Sequence, residues 1–164
     1  MDVRNSFVDQ NPDFVYESLR RFHTALFDHP DFPAIYPTES AFLYAQKNPG
    51  DRNGLPPLTI NPAANDAERI YKKAGVKRAA NVQLPADLIT SELEFMAYLH
   101  NEIARSIQNN DQQRKDDLIA ILDEFNHYHC SKWFAAFFEA CASQDKSFYQ
   151  TMGAVGTIFI QKLQ

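Results

Sequence analysis

The sequence predicts an all-α fold in which six or seven helices form a single-domain bundle. Apolar residues recur at intervals of three and four along most of the chain, and prolines and capping residues divide this pattern into segments of helical length. No segment alternates apolar and polar residues as a half-buried strand would. The 164 residues, 45% of them hydrophobic, suffice for one core, so we expect one domain over 1–164.

Two helices are predicted near the N-terminus. Asn11 is a capping residue and Pro12 suits the first helical position, so a helix should run from Pro12 to about Phe27. Thr38 is the expected cap of a shorter helix that ends at about Lys47. Four apolar residues share one face of this first helix: Val15, Leu19, Phe22 and Leu26.

A segment rich in proline and glycine separates these helices from the rest of the chain. Residues 48–62 hold four prolines and two glycines, a composition typical of a loop. We interpret 48–65 as a loop or hinge between N-terminal helices (1–47) and a helical core (66–164). A hinge here would let two copies exchange their N-terminal helices, so we expect a monomer or a domain-swapped homodimer.

Five helices are predicted in the core. Gly75 closes a short helix, Pro85 opens a long one and Asn109 ends it, so the predicted ranges are 66–74, 85–108, 111–129, 131–142 and 146–163. Gly153 and Gly156 would let a neighbouring helix come close to the last one. The residues of that helix expected to face inward are Phe148, Tyr149, Met152, Phe159 and Leu163.

Glu92 is the most informative residue of the long helix. Counted at about 100° per residue, it falls within an apolar sector formed by Leu88, Ile89, Met96, Leu99, Ile103 and Ile107. A carboxylate in an apolar interface is costly unless a cation or a hydrogen-bond donor meets it. Glu92 should therefore either have a partner inside the fold, for which His129 is one candidate, or accept one from outside.

Charge and composition exclude several classes of partner. The net charge is −5 and no run of Lys or Arg is present, so we expect no nucleic-acid partner. No run of about 18 apolar residues occurs, so we expect no membrane span. Cys130 and Cys141 cannot form a disulfide framework and no secretory signal precedes them, so we expect a reducing, cytoplasmic location.

The sequence offers little support for catalysis or for a metal. His127, His129 and Cys130 lie close in sequence, but the two histidines point about 200° apart on a helix and further ligands are not evident. Neither cysteine is accompanied by an oxyanion-hole pattern, and the Gly153–Gly156 pair has no preceding strand that would make it a phosphate loop. We expect no catalytic residue, no metal and no cofactor.

Several segments, in order and spacing, carry a family resemblance. They are residues 71–76 (YKKAGV), residues 84–87 (LPAD) followed by 92–99 (ELEFMAYL), the pattern H-x-x-x-W-x-x-x-F at His129, Trp133 and Phe137, and the pair Phe148–Tyr149. From Arg69 onward, about 60% of the chain resembles the TorD/DmsD/NarJ group, cytoplasmic chaperones of molybdenum-containing redox enzymes.

The resemblance implies an all-α chaperone without catalytic activity. It would bind the twin-arginine signal peptide of a molybdopterin oxidoreductase, or the apoenzyme, and delay export until the cofactor is inserted. The implied peptide-binding residues are the carboxylates Glu92, Asp123 and Glu124, which would select for arginine, together with Tyr71, Met96, His129, Trp133 and Phe137.

Other interpretations stay open at this point. The aromatic residues are equally those expected in a core. The chain also fits a helical adaptor or oligomerising protein that docks on a folded partner subunit. A small helical enzyme, such as a metal-dependent hydrolase, would need at least three His, Asp or Glu side chains converging on one cavity.

Overall fold

The computed structural model describes residues 11–29, 32–50, 61–77, 84–144 and 148–162. These residues contain α-helices and one π-helical turn, and their only strand-like pairing is an isolated antiparallel bridge between Thr38 and Leu88. The all-α prediction is confirmed. In chain order the helices are α1 (Pro12–Phe27), α2 (Glu39–Lys47), α3 (Pro62–Lys73), α4 (Ile89–Gln108), α5 (Gln112–Phe125), α6 (Ser131–Ala142) and α7 (Phe148–Gln161), with the π turn (Asn126–Cys130) between α5 and α6.

Contacts group the chain into two compact units. One unit comprises the described residues up to Tyr36 together with those from Phe134 onward, and the other runs from Pro37 to Trp133. Of the predicted loop or hinge at 48–65, residues 51–60 lie outside the described part of the chain. Among the helices that the structure describes, none has the length and apolar character needed to cross a membrane.

In the first unit, α1 has the predicted ends, and its apolar face is only partly covered. Asn11 caps it, because the Asp13 N–H donates to Asn11 Oδ1 at 2.9 Å, and Pro12 follows as the first helical residue. Of the four residues that share this face, Leu26 alone is buried, and the Phe22 side chain is 37% exposed. Helical periodicity located the apolar face, but how much of that face is covered depends on tertiary packing.

The glycines of α7 confirm the expected close helix approach. A Cβ on Gly153 would lie 2.7 Å from the Phe138 carbonyl oxygen, and a Cβ on Gly156 would meet the Phe138 ring. Because these glycines and Ile160 form the buried side of α7, the prediction that Met152 and Phe159 face inward is wrong, and both are exposed. The predicted inward residue Leu163 lies outside the described residues.

In the second unit, Asp87 determines how α2 begins. The backbone N–H and hydroxyl of Ser40 both donate to Asp87 Oδ2, at 3.1 and 2.7 Å, and the Glu39 N–H donates to the Asp87 carbonyl at 2.9 Å. Thr38 is the N-cap as predicted, but its side chain makes no capping bond. The Asn61 side-chain amide also donates to Asp87 Oδ2, at 2.9 Å, so one carboxylate connects the starts of α2 and α3.

Three predicted helix boundaries differ from the structure. The helix expected at 66–74 begins at Pro62, because the Asn61 side chain caps it by accepting from the Ala64 N–H at 3.1 Å. The helix expected from Pro85 begins at Ile89, because residues 85–88 form a turn in which Asp87 contacts the start of α2. Apart from these boundaries, one residue of α4 differs from the prediction. Ile107 was expected in the apolar sector, but 58% of its side chain is exposed.

The third boundary is the end of α5. The helix expected at 111–129 ends at Phe125 and passes into the π turn, which continues directly into α6. A π turn inserts an extra residue into the helical repeat and rotates the side chains that follow. His129 and Cys130 are buried in this turn and His127 is exposed, so the expectation that the two histidines point apart is confirmed.

Candidate functional site

Three ionisable side chains from separate elements meet inside the second unit. Glu39 comes from the first turn of α2, Glu92 from the first turn of α4 and His129 from the π turn. Their side chains are 3%, 0% and 2% exposed. One ligand-type atom from each lies within 4.8 Å of the other two, and we call this set the buried cluster. It is the most concentrated polar chemistry in the interior of the described chain.

His129 is held between two carboxylates. Its Nδ1 lies 2.6 Å from Glu39 Oε2, and its Nε2 lies 3.3 Å from Asp66 Oδ2. Asp66 is 38% exposed and accepts from Arg69 Nε at 2.7 Å. That hydrogen bond is the largest of the effects that lower the pKa of Asp66. A polar path therefore leads from the surface through Asp66 and His129 to Glu39.

Glu92 has a partner inside the fold, as its position on the apolar face required. The Trp133 Nε1–H donates to Glu92 Oε2 at 3.0 Å. The other oxygen, Glu92 Oε1, is 3.8 Å from His129 Nδ1 and accepts no hydrogen bond from the described residues. Glu92 and the expected partner His129 thus approach to 3.8 Å, while the hydrogen bond of Glu92 goes to Trp133.

The surroundings of Glu92 favour its neutral form. Burial, followed by the negative charge of Glu39, raises the pKa of Glu92 to about 9, although the Trp133 hydrogen bond acts in the opposite direction. A protonated Glu92 has an O–H that can donate to Glu39, whereas two ionised carboxylates would repel each other there. Chemically, the cluster needs a proton or another cation between Glu39 and Glu92.

Aromatic and sulfur-containing side chains surround the cluster. The Tyr71 hydroxyl donates to the Ala86 carbonyl at 2.7 Å, and its ring centroid lies 4.3 Å from that of Phe95. The Cys130 thiol donates to Met96 Sδ at 3.5 Å. Burial, and then the charge of Glu92, raises the pKa of the Cys130 thiol. This thiol therefore has little thiolate character.

The remaining predicted site residues lie elsewhere. Glu124 accepts from Arg69 at 2.9 Å and from Lys73 at 2.7 Å, so it joins α5 to α3, and these bonds lower its pKa. Asp123 is exposed on α5 and forms no ion pair with any cation that the structure describes. Phe137 belongs to the first unit, where its ring stacks on Phe27 with 6.1 Å between centroids.

The structure therefore brings together four of the predicted residues, Glu92, Met96, His129 and Trp133, with Tyr71 nearby, all of them buried. It also adds Glu39, Asp66 and Asp87, which sequence reasoning did not select. Glu39 stands beside a capping residue, where an acid is ordinary, and Asp66 lies within a polar stretch of helix. The sequence did offer one signal for Asp87. Thr38, the predicted cap of α2, has no glutamate three residues later to complete a capping box, and Asp87 is a carboxylate just before the long helix that had no assigned role.

Comparison with models of known protein families gives a match. The model of the nitrate reductase delta subunit family matches residues 5–139, a span that includes every residue of the buried cluster and ends before α7. No curated protein and no solved structure matches the chain significantly. The match covers far more than half of the sequence and includes the segments noted above except the pair Phe148–Tyr149. The chain belongs to the nitrate reductase delta subunit family, within the TorD/NarJ group of chaperones for molybdoenzyme maturation.

Proposed function

We propose that this protein is a cytoplasmic assembly chaperone that binds the twin-arginine signal peptide of a molybdenum-containing oxidoreductase, and the apoenzyme that carries it, before the cofactor is inserted. The observation that carries this proposal is the family match over residues 5–139. The family consists of chaperones rather than enzymes, which supports a binding role without catalysis. The net charge of −5 suits a partner whose recognition segment is basic.

Among the residues that the structure describes, an exposed strip on α5 is the best candidate for arginine recognition. Asp116, Ile119 and Asp123 are exposed at positions i, i+3 and i+7, so they share one side of the helix. Ile119 is 38% exposed and offers apolar contact between the two carboxylates. We call these three residues the α5 strip. Its combination of negative charge and a short apolar surface matches a peptide with two arginines and an apolar continuation.

The buried members of the predicted set have a different role in this proposal. Glu92, His129 and Trp133 are at most 2% exposed, so a peptide would contact them only in a form of the protein in which the cluster is uncovered. Glu124 is half-buried and already binds Arg69 and Lys73, so a peptide arginine would have to compete with them. Direct selection for arginine is therefore proposed for Asp123 first.

We expect each charge pair to contribute little to the binding free energy of the peptide, and each apolar contact to contribute more. An exposed carboxylate–arginine pair contributes about 0.2–1 kcal/mol, whereas burying one large apolar side chain contributes roughly 1.5–3 kcal/mol. Two such charge pairs correspond to roughly a twofold to thirtyfold preference for Arg-Arg over Ala-Ala. The apolar segment of the peptide should supply most of the affinity, and the arginines should supply the selectivity.

Calorimetry with a synthetic leader peptide tests this directly. The probe is the leader of the molybdoenzyme catalytic subunit encoded in the same genome, in Arg-Arg and Ala-Ala versions. Asp123→Asn should weaken the Arg-Arg version by up to about fivefold and leave the Ala-Ala version unchanged. Asp117→Asn is the matched control, because Asp117 is exposed on a different side of α5 and loses the same charge. Equal affinity of the native protein for both peptides would remove the arginine-recognition part of the proposal.

A second candidate function, docking on a folded partner subunit, is favoured by α7. Four exposed apolar residues cover one side of this helix, which has no charged residue over its length: Met152, Val155, Ile158 and Phe159. Their exposed fractions of 42–56% are high for large apolar side chains. If the folded apoenzyme docks here, Val155→Asp should abolish apoenzyme binding without changing leader affinity, and Gln161→Asp should change neither. Loss of leader binding in Val155→Asp, or apoenzyme binding that survives it, would exclude this second function.

A further inference from the structure

The buried cluster requires a positive charge between its carboxylates. The side chains of Glu39 and Glu92 are 3% and 0% exposed, so water could not compensate two negative charges there. Glu92 Oε1 is directed at His129 Nδ1, 3.8 Å away, and accepts no hydrogen bond from any described residue. A fully buried carboxylate oxygen without a donor, in the centre of a converging set of ligand-type atoms, is an unusual feature that needs an explanation.

We propose that Glu39, Glu92 and His129 form a binding site for one divalent transition-metal ion. The ligand atoms would be Glu39 Oε2, Glu92 Oε1 and His129 Nδ1, one from each of α2, α4 and the π turn. Two carboxylate oxygens and one imidazole nitrogen suit zinc, manganese or iron, whereas calcium and magnesium prefer oxygen ligands alone. This inference does not depend on peptide binding, so either proposal can fail without the other.

Two of the three proposed ligands, His129 and Glu92, are oriented by a further polar contact, as ligands in metal sites usually are. His129 Nε2 lies 3.3 Å from Asp66 Oδ2, so with a metal bound an N–H at Nε2 would donate to that carboxylate and leave the Nδ1 lone pair directed at the cluster. The Trp133 Nε1–H holds Glu92 Oε2 at 3.0 Å, which leaves Oε1 available. Arg69 in turn holds Asp66 at 2.7 Å.

Two of the three distances between the proposed ligand atoms can be compared with those in a tetrahedral site. Ligand atoms about 2.0–2.2 Å from a tetrahedral ion lie about 3.3 Å from one another. The 3.8 Å between His129 Nδ1 and Glu92 Oε1 is close to that spacing, and the 2.6 Å between His129 Nδ1 and Glu39 Oε2 would have to open by roughly 0.7 Å. Because the cluster is closed to solvent and connects three elements, a metal here would stabilise the fold.

Equilibrium dialysis of the full chain tests this inference. The protein is stripped with EDTA and dialysed against Zn²⁺, and bound zinc is measured by plasma mass spectrometry and the melting temperature by calorimetry. We expect one zinc per chain and a higher melting temperature, with roughly a hundredfold or greater loss of affinity in Glu92→Gln and His129→Asn. Asp66→Asn, which keeps all three proposed ligands and alters the contact that orients His129, should lose roughly tenfold to a hundredfold of the affinity.

Matched controls separate this site from adventitious binding. Glu94→Gln and His127→Asn change exposed residues of α4 and the π turn and should bind zinc like the native protein. Circular dichroism establishes which variants fold. X-ray absorption of the zinc-loaded native protein needs no variant and should show oxygen and imidazole ligands without sulfur. Absence of stoichiometric zinc, equal binding by the native protein and folded Glu92→Gln and His129→Asn, or a sulfur ligand would overturn the proposal and leave a proton between the carboxylates.

Discussion

Replacing Glu92 by glutamine should stabilise the metal-free protein near neutral pH. The side-chain oxygen of the introduced glutamine can still accept the Trp133 N–H, and its amide can donate to Glu39, in place of the oxygen that lacks a donor in the native protein. Glutamine therefore reproduces the shape and hydrogen bonds of the protonated carboxyl without the need to bind a proton. This substitution is unusual because removing one partner of a buried polar network normally destabilises a protein.

The magnitude follows from the change in pKa on folding. Glu92 ionises near 4.5 when unfolded, and burial raises its pKa to about 9 in the folded protein. Between these values the folded state holds one more proton than the unfolded state, so the unfolding free energy falls by about 1.4 kcal/mol per pH unit. The stabilisation is complete below the unfolded pKa and is lost as pH rises toward the folded pKa. The cumulative loss is about 3 kcal/mol at pH 7 and is absent from the glutamine variant.

Urea denaturation in EDTA, followed by circular dichroism from pH 5 to pH 8, measures this effect. Glu92→Gln should match the native protein within about 1 kcal/mol at pH 5 and exceed it by about 3 kcal/mol at pH 7. Glu94→Gln, an exposed acid on the same helix, should follow the native curve throughout. A glutamine variant that is less stable than the native protein at pH 7, or a difference that does not change with pH, would refute the reasoning.

Three further predictions concern packing and ion pairs, and each is checked by urea denaturation. Asp87→Ala leaves the donors of Ser40 and Asn61 without their shared acceptor and should lower the unfolding free energy by about 2–4 kcal/mol, whereas no loss would mean that Asp87 does not hold α2. Gly153→Ala should lower the unfolding free energy by about 1–3 kcal/mol, because the new methyl group meets backbone atoms of α6. Gly156→Ala should lower it by less, because its methyl group meets the Phe138 ring, which can move. The reverse order of the two losses would contradict the close approach of α6 and α7. Glu124→Gln should cost about 1 kcal/mol or less at pH 7. That loss should disappear as pH falls through the lowered pKa of Glu124.

The helices could be predicted because their signals are local. The Asn11–Pro12 pair, Gly75 and the apolar periodicity act within one or two turns, and these signals located helices α1 to α7 to within a few residues. The larger errors at the starts of α3 and α4 have a common cause. Asp87 and Asn61 are engaged with residues far away in sequence, and such tertiary hydrogen bonds leave no periodic pattern.

The candidate site was partly predictable for a similar reason. An acid on an apolar face is a conflict that can be seen in sequence, and it led to Glu92 and to the question of its partner. Acidic residues are common at helix positions such as those of Glu39 and Asp66. Nothing in the sequence therefore marked these two residues as neighbours of His129. The same limit explains the exposed faces of α1 and α7, since periodicity shows which residues share a side but not what covers that side.

In the function that we propose, this protein holds a molybdoenzyme before its cofactor is inserted. Affinity capture of the tagged full chain from anaerobically grown cells, with the captured proteins identified by mass spectrometry and their molybdenum content measured, tests that claim most directly. We expect a molybdenum-containing oxidoreductase subunit, captured with its leader intact and without molybdenum. Capture of the same enzyme only in its molybdenum-loaded form, or of no such enzyme in cells that produce it, would contradict the account.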